Sequence, residues 1–127
     1  MKLLIVEDNS GVRRLIRSMV ASVADEICEC ADGAEAVGLC AAERPDFVLM
    51  DIQMKTMDGI TATQQITAAD PSALVIMVTD YDQPDLREAA RRAGACGYVV
   101  KNNLLDVVCL LEELAKGLPR PNSYEGM

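Results

Sequence analysis

Two carboxylates, Glu7 and Asp8, stand side by side directly after the apolar run Leu3–Val6. A third, Asp51, follows Phe47–Met50; Thr79 follows Ala73–Val78, and Lys101 follows Tyr98–Val100. Each of these four runs thus ends on a polar or charged residue. If the runs are parallel strands, those residues share the C-terminal edge of a sheet, where open α/β folds bind ligands. Three converging carboxylates without a counter-charge must either repel one another or take up protons. A hard divalent cation removes that conflict, and Mg²⁺ favours a few carboxylate oxygens together with water and substrate phosphate. Lys101 adds a positive charge on a flexible stem, and Thr79 adds a hydroxyl donor. Carboxylates, magnesium, an ammonium and a hydroxyl together suit phosphoryl transfer. Singly, each residue has a plainer reading: a solvated turn for Glu7 and Asp8, a cap for Asp51, a snorkelling strand end for Lys101, core for Tyr98. Their recurrence at successive strand ends outweighs those readings.

The elements that must position these groups can be read from the pattern of apolar residues. Five runs stand out: 3–6, 26–30, 46–50, 73–78 and 96–100. Leu3–Val6, Phe47–Met50 and Ala73–Val78 are continuously apolar, as strands covered on both faces are. The run 26–30 alternates and carries Glu26 and Glu29, which suits an edge strand. Helical periodicity fills the gaps. After a cap at Asn9 or Ser10, Val12, Leu15, Ile16, Met19, Val20 and Val23 form one stripe. Ala36, Val37, Cys40 and Ala41 form a second. A third helix is expected from about Asp58, with Ile60 and Ile66, ending before Pro71. Leu86, Ala89, Ala90 and Ala93 make a fourth, with Pro84 at its start and Gly94 past its end. Asn102 or Asn103 is expected to cap a fifth carrying Leu104, Val107, Val108, Leu111 and Leu114. The alternation is α/β, (βα)5, and right-handed crossovers make it an open, doubly wound parallel five-stranded sheet. Residues 118–127 lack periodicity and read as a flexible tail or the stub of a linker.

Bulk properties narrow the partners. The 127 residues suffice for one ordinary core. A net charge of −8 argues against direct binding to nucleic acid or anionic membranes. No apolar run approaches the roughly 20 residues of a membrane span. The start, Met1–Asp8, turns acidic too soon for a signal or transit peptide, so a soluble cytoplasmic protein is expected. Cys28, Cys30, Cys40, Cys96 and Cys109 show no metal-site spacing and read as reduced, mostly buried thiols.

The stretches Ile5–Asn9, Arg44–Gly59, Val75–Thr79 and Ala93–Lys101, in this order, resemble the receiver domain of two-component response regulators. The resemblance covers about residues 1–117. It implies a flavodoxin-like fold with strand order 2-1-3-4-5. It implies Asp51 as phosphoacceptor, Mg²⁺ held by Glu7, Asp8, Asp51 and the Gln53 backbone carbonyl, Lys101 against the phosphoryl group, and Thr79 with Tyr98 as the switch pair. The implied function is a phosphorylation-activated signalling switch and no metabolic enzyme. A histidine kinase or histidine phosphotransfer protein would be the donor, and output would run to a protein partner or a homodimer through the fourth helix, fifth strand and fifth helix. Lys55, Asp80 and Asn102 depart from the family pattern. One alternative is a pseudo-receiver, an interaction module that never gains phosphate. An aspartyl-phosphate phosphatase would need a second acid where Gln53 stands.

Further expectations concern contacts. Arg13, Arg14 and Arg17 are expected on the outer face of the first helix, docking the donor. Gln53 and Tyr81 would flank the path of attacking water. Leu105, Cys109 and Leu110 fall outside the last core stripe and suggest a contact surface, reshaped when Tyr98 turns inward.

Overall fold

The computed structural model describes residues 1–116, so the expected tail over 118–127 lies outside the described residues. Five strands, β1 (Lys2–Val6), β2 (Glu26–Cys30), β3 (Phe47–Met50), β4 (Val75–Thr79) and β5 (Gly97–Val100), pair in parallel in the order β2-β1-β3-β4-β5. The alternating run does form an edge strand, because only one of its sides meets a neighbour. Five helices alternate with the strands: α1 (Ser10–Val20), α2 (Gly33–Glu43), α3 (Gly59–Ala69), α4 (Pro84–Ala93) and α5 (Leu105–Ala115).

Alternate side chains of each strand enter opposite cores, since successive residues point to opposite faces. Leu4, Val6, Val48, Met50 and Met77 pack with Ala36, Ala62, Ile66 and Ala90 from α2, α3 and α4. Leu3, Ile5, Leu49, Ile76 and Val78 pack with Ile16, Val20, Val107 and Leu111 from α1 and α5. Burying each such large aliphatic is worth about 1.5–3 kcal/mol. Among the described residues, no helix is long and apolar enough to cross a membrane.

Side-chain caps hold the helix starts toward the site edge. Asn9 accepts from Val12 N, Asp32 from Ala34 N, and Asp58 from Thr61 N. The ends of α4 follow the sequence, with Pro84 in the first turn and Gly94 left-handed at φ 107°. The start of the last helix does not. Lys101–Asn103 form a 3-10 turn and α5 begins without a side-chain cap, so neither Asn102 nor Asn103 has the expected role. Leu15 is also misplaced by periodicity: α1 buries Ile16 and Val20 and leaves Leu15 52 % exposed. Leu110, expected on the flank of the last stripe, is buried in the α1–α5 core, whereas Leu105 and Cys109 are exposed. All five cysteines are free thiols, and burial pushes both Cys30 and Cys40 up to about 11.

Candidate functional site

Strand register brings the site together. Val6 pairs with Met50, and Asp51 N donates to Val6 O at 3.0 Å, so Glu7 and Asp51 emerge side by side. Thr79 pairs with Val100, which places Lys101 one residue beyond it at the same edge. Carboxylate oxygens of Glu7, Asp8 and Asp51 lie within 4.8 Å of one another. The chain makes this crowding possible by leaving room behind Asp51. A Cβ on Gly59 would sit 1.8 Å from the Asp51 carbonyl oxygen, so only glycine lets α3 start there.

Lys101 spans the carboxylates, with Nζ 2.5 Å from Glu7 Oε1 and 3.4 Å from Asp51 Oδ2. Glu7 is 1 % exposed, and Oε2 accepts from Asn9 N at 3.2 Å. Oε1 is held by the Lys101 ammonium in a short charge-assisted contact. Asp51 Oδ1 accepts from Ile52 N at 2.9 Å. Burial, and after it the Glu7 charge, push the Asp51 carboxyl up to about 7, against the pull of Lys101. Burial also opposes charge on Glu7, but Lys101, then Asp51 and the Asn9 N–H, hold it below its usual range. Lys101 stays charged: burial works against it, while Glu7 and Asp51 raise it above its ordinary value. Without a metal, the two buried carboxylates therefore tend to hold one proton and one negative charge between them.

The acid cluster fits Mg²⁺. Three hard oxygen donors converge, two of them on buried residues, and burial beside Glu7 makes Asp51 resist ionisation until positive charge arrives. Asp8, the exposed member, leaves an approach from solvent.

Thr79 is buried, and its hydroxyl accepts from Tyr81 N at 3.3 Å. Tyr98 differs from expectation. It already points inward, 3 % exposed, and its hydroxyl donates to Tyr81 O at 2.6 Å. Arg87 stacks over its ring with 4.6 Å to the centroid and is itself held by Asp82, Nε to Oδ1 at 2.7 Å. Asp80, the departure beside Thr79, is 73 % exposed, and its Oδ2 lies 3.9 Å from Lys101 Nζ, at the solvent side of the ammonium that bridges Glu7 and Asp51. Asn102 follows Lys101 across a trans peptide bond, and Lys55 is exposed in the loop after Asp51.

Several contacts around the site are legible only in three dimensions. Arg13 Nη1 donates to Glu7 O at 2.7 Å and Nε to Glu29 Oε1 at 3.2 Å, while Arg17 pairs with the other oxygen of Glu29. Glu29 of β2 thus partners two of the three arginines of α1 and offsets one of their charges, while Arg14 and Arg17 remain exposed. Asp32 Oδ2 accepts from Thr56 N at 2.8 Å and Met57 N at 3.4 Å, tying α2 to the loop that carries Gln53. Tyr81 donates its phenol hydrogen to Gln53 Oε1 at 2.7 Å, bridging the mouth of the site.

The model of the response regulator receiver domain matches residues 3–111. The chain belongs to the response regulator receiver family. It is 41 % identical over 127 residues to the transcriptional regulatory protein PdtaR of Mycobacterium tuberculosis, covering 98 % of this chain and 62 % of that protein. This receiver chain thus spans less than two thirds of that relative. It is 40 % identical over 118 residues to the chemotaxis protein CheY of Listeria monocytogenes, covering 91 % and 99 %. A CheX-CheY-BeF3-Mg²⁺ complex from Borrelia burgdorferi contains a chain of similar fold, with TM-score 0.81, 29 % identity and coverage of 91 % and 89 %. The receiver fold and strand order agree with the sequence reading.

Proposed function

We propose that this receiver is a phosphorylation-driven switch, with Asp51 as the phosphoacceptor and a phosphohistidine on a kinase or phosphotransfer protein as donor. The observation that carries this reading is the junction of Glu7, Asp8 and Asp51 within 4.8 Å, bridged by Lys101. Glu7, Asp8, Asp51 and the Gln53 carbonyl would hold the metal. When bound, Mg²⁺ supplies neutralising charge at the phosphoryl oxygens and favours the Asp51 carboxylate over its acid. One Asp51 oxygen forms a bond to phosphorus as the P–N bond breaks, and the electron pair leaves with the imidazole, which takes up a proton. Lys101 stabilises charge on the transferring group, and Thr79 offers its hydroxyl to a phosphoryl oxygen. Water later cleaves the acyl phosphate, returning carboxylate and inorganic phosphate. The chain promotes only these two reactions on itself and is no metabolic enzyme.

The Borrelia complex, whose description includes BeF3 and Mg²⁺, supports the assignment by similarity. The pseudo-receiver alternative draws on Asp80 and Lys55; solvent exposure of both side chains, with Lys101 as a counter-charge 3.9 Å from Asp80, weakens it. Incubation with a radiolabelled phosphohistidine donor tests the proposal. Label that appears only with Mg²⁺, is released by hydroxylamine as acyl phosphates are, and disappears in Asp51→Asn is expected. Label that survives Asp51→Asn would move the acceptor elsewhere.

A further inference from the structure

Arg13 leaves the first turn of α1 and folds back toward the residues before the helix, as helical side chains lean. Its guanidinium there serves two acceptors at once: Nη1 donates to Glu7 O at 2.7 Å and Nε to Glu29 Oε1 at 3.2 Å. The other backbone group of Glu7 is held as well, its N–H donating to Cys30 O at 3.1 Å. Glu7 O belongs to the planar Glu7–Asp8 peptide, so Arg13 fixes the plane from which Asp8 projects. Asp8 is the exposed member of the acid cluster, and packing gives an exposed carboxylate little direction. A charged donor makes a bond to a carbonyl stronger than a neutral one does. The side chains of Arg13 and Glu29 are only 24 % and 28 % exposed, so water does not readily take the place of either partner. An ammonium would lack the rigid fork that reaches both acceptors together. Glu29 also offsets a cation that would otherwise stand unbalanced beside a metal site.

We propose that Arg13 is a positioning residue for the divalent cation: it holds the Glu7–Asp8 peptide so that the Asp8 carboxylate meets the oxygens of Glu7 and Asp51. This rests on the reading of the acid cluster as a Mg²⁺ site and gives Arg13 a role other than contact with a phosphodonor. Charge and geometry forecast opposite effects of removing it. An arginine that acts only through its charge repels Mg²⁺, so its loss tightens binding. An arginine that acts through the peptide weakens binding when lost, although a repelling charge has gone with it. Arg17 supplies the comparison, because it pairs with the same glutamate and makes no contact with the Glu7 carbonyl.

The test is calorimetric titration of the full chain with MgCl₂, no phosphodonor present. Arg13→Met keeps the length of the side chain and removes its donors, and Arg17→Met removes the same charge nearby. Arg13→Met is expected to weaken Mg²⁺ about tenfold, whereas Arg17→Met binds it at least as tightly as wild type. In an Asp8→Asn background, Arg13→Met is expected to cause no further weakening, because the group it positions has gone. Arg13→Lys, which can still donate to one acceptor, is expected to lie between wild type and Arg13→Met. It carries the comparison, at about threefold, should Arg13→Met fail to fold. Unchanged or tighter Mg²⁺ binding in the Arg13 variant would overturn the proposal and leave only a charge effect. Weakening of the same size in the Asp8→Asn background would overturn it too, in favour of a general loosening of the fold. A wild type that binds no Mg²⁺ would overturn it together with the metal site. Acetyl phosphate labelling of wild type keeps the readings separate: absent labelling with this pattern of Mg²⁺ affinities would overturn the phosphorylation reading alone.

Discussion

Lys101 Nζ lies nearer to Glu7 Oε1, at 2.5 Å, than to Asp51 Oδ2, at 3.4 Å. The ammonium thus compensates the buried glutamate first and leaves Asp51 to hold a proton up to about pH 7. Asp51 is raised when folded, so its contribution to stability is full below the ordinary carboxylate value and fades as pH rises through about 7. Glu7 has the opposite sign and loses its contribution only at acid pH, below the usual carboxylate range. Lys101 loses its contribution only above the ordinary lysine range. The window between about pH 5 and 8 therefore belongs to Asp51. Metal-free protein should melt at progressively lower temperature across that window, and Mg²⁺ should raise the melting temperature more at pH 8 than at pH 5. Calorimetry with EDTA or MgCl₂ checks both.

Tyr81 donates to Gln53 at 2.7 Å, each residue standing two places beyond a site residue, Thr79 and Asp51. With this pair beside the path of attacking water, as the proposed switch has it, the acyl phosphate should persist for minutes or longer. Tyr81→Ala should shorten its lifetime severalfold without changing the amount of phosphate the protein can accept. A pulse of acetyl phosphate followed by timed quenching reads both quantities.

The glycine behind the acceptor has a steric role. In Gly59→Ala the new methyl would lie 1.8 Å from the Asp51 carbonyl oxygen, and relieving that overlap must move α3 or the acceptor strand end. The expected cost is about 3 kcal/mol or more. Urea titration at fixed pH measures it.

Asp32 ties the loop of Gln53 to α2. Asp32→Ala removes a helix cap and the partner of two loop N–H groups, for an expected loss of about 1–3 kcal/mol. If that tether also positions the Gln53 carbonyl, Mg²⁺ affinity measured calorimetrically should fall several times while the acid cluster itself is unaltered.

Most of the scaffold was legible because its signals are local. Continuous apolar runs marked the buried strands, Glu26 and Glu29 marked the edge, and Asn9, Asp58, Pro84 and Gly94 marked helix ends. Convergence of the three acids followed from their strand-end positions, and the Val6–Met50 register realises it. What escaped depends on tertiary contact. Leu15 obeys helical spacing but falls outside the strip of α1 covered by the sheet and α5, while Leu110 breaks the stripe yet reaches the core. Arg13 and Arg17 looked like a free basic face because nothing local ties them to Glu29, which lies on a strand later in sequence. The inward Tyr98 likewise depends on Arg87 and on the Tyr81 carbonyl, neither of which is its sequence neighbour.

The most direct measurement of the central claim is intact mass after incubation with acetyl phosphate and Mg²⁺, alongside EDTA and Asp51→Asn controls. Wild type should gain the mass of one phosphoryl group with Mg²⁺, and neither control should gain it. A wild-type mass unchanged by Mg²⁺, under conditions that modify another receiver, would contradict the switch and leave an interaction module in its place.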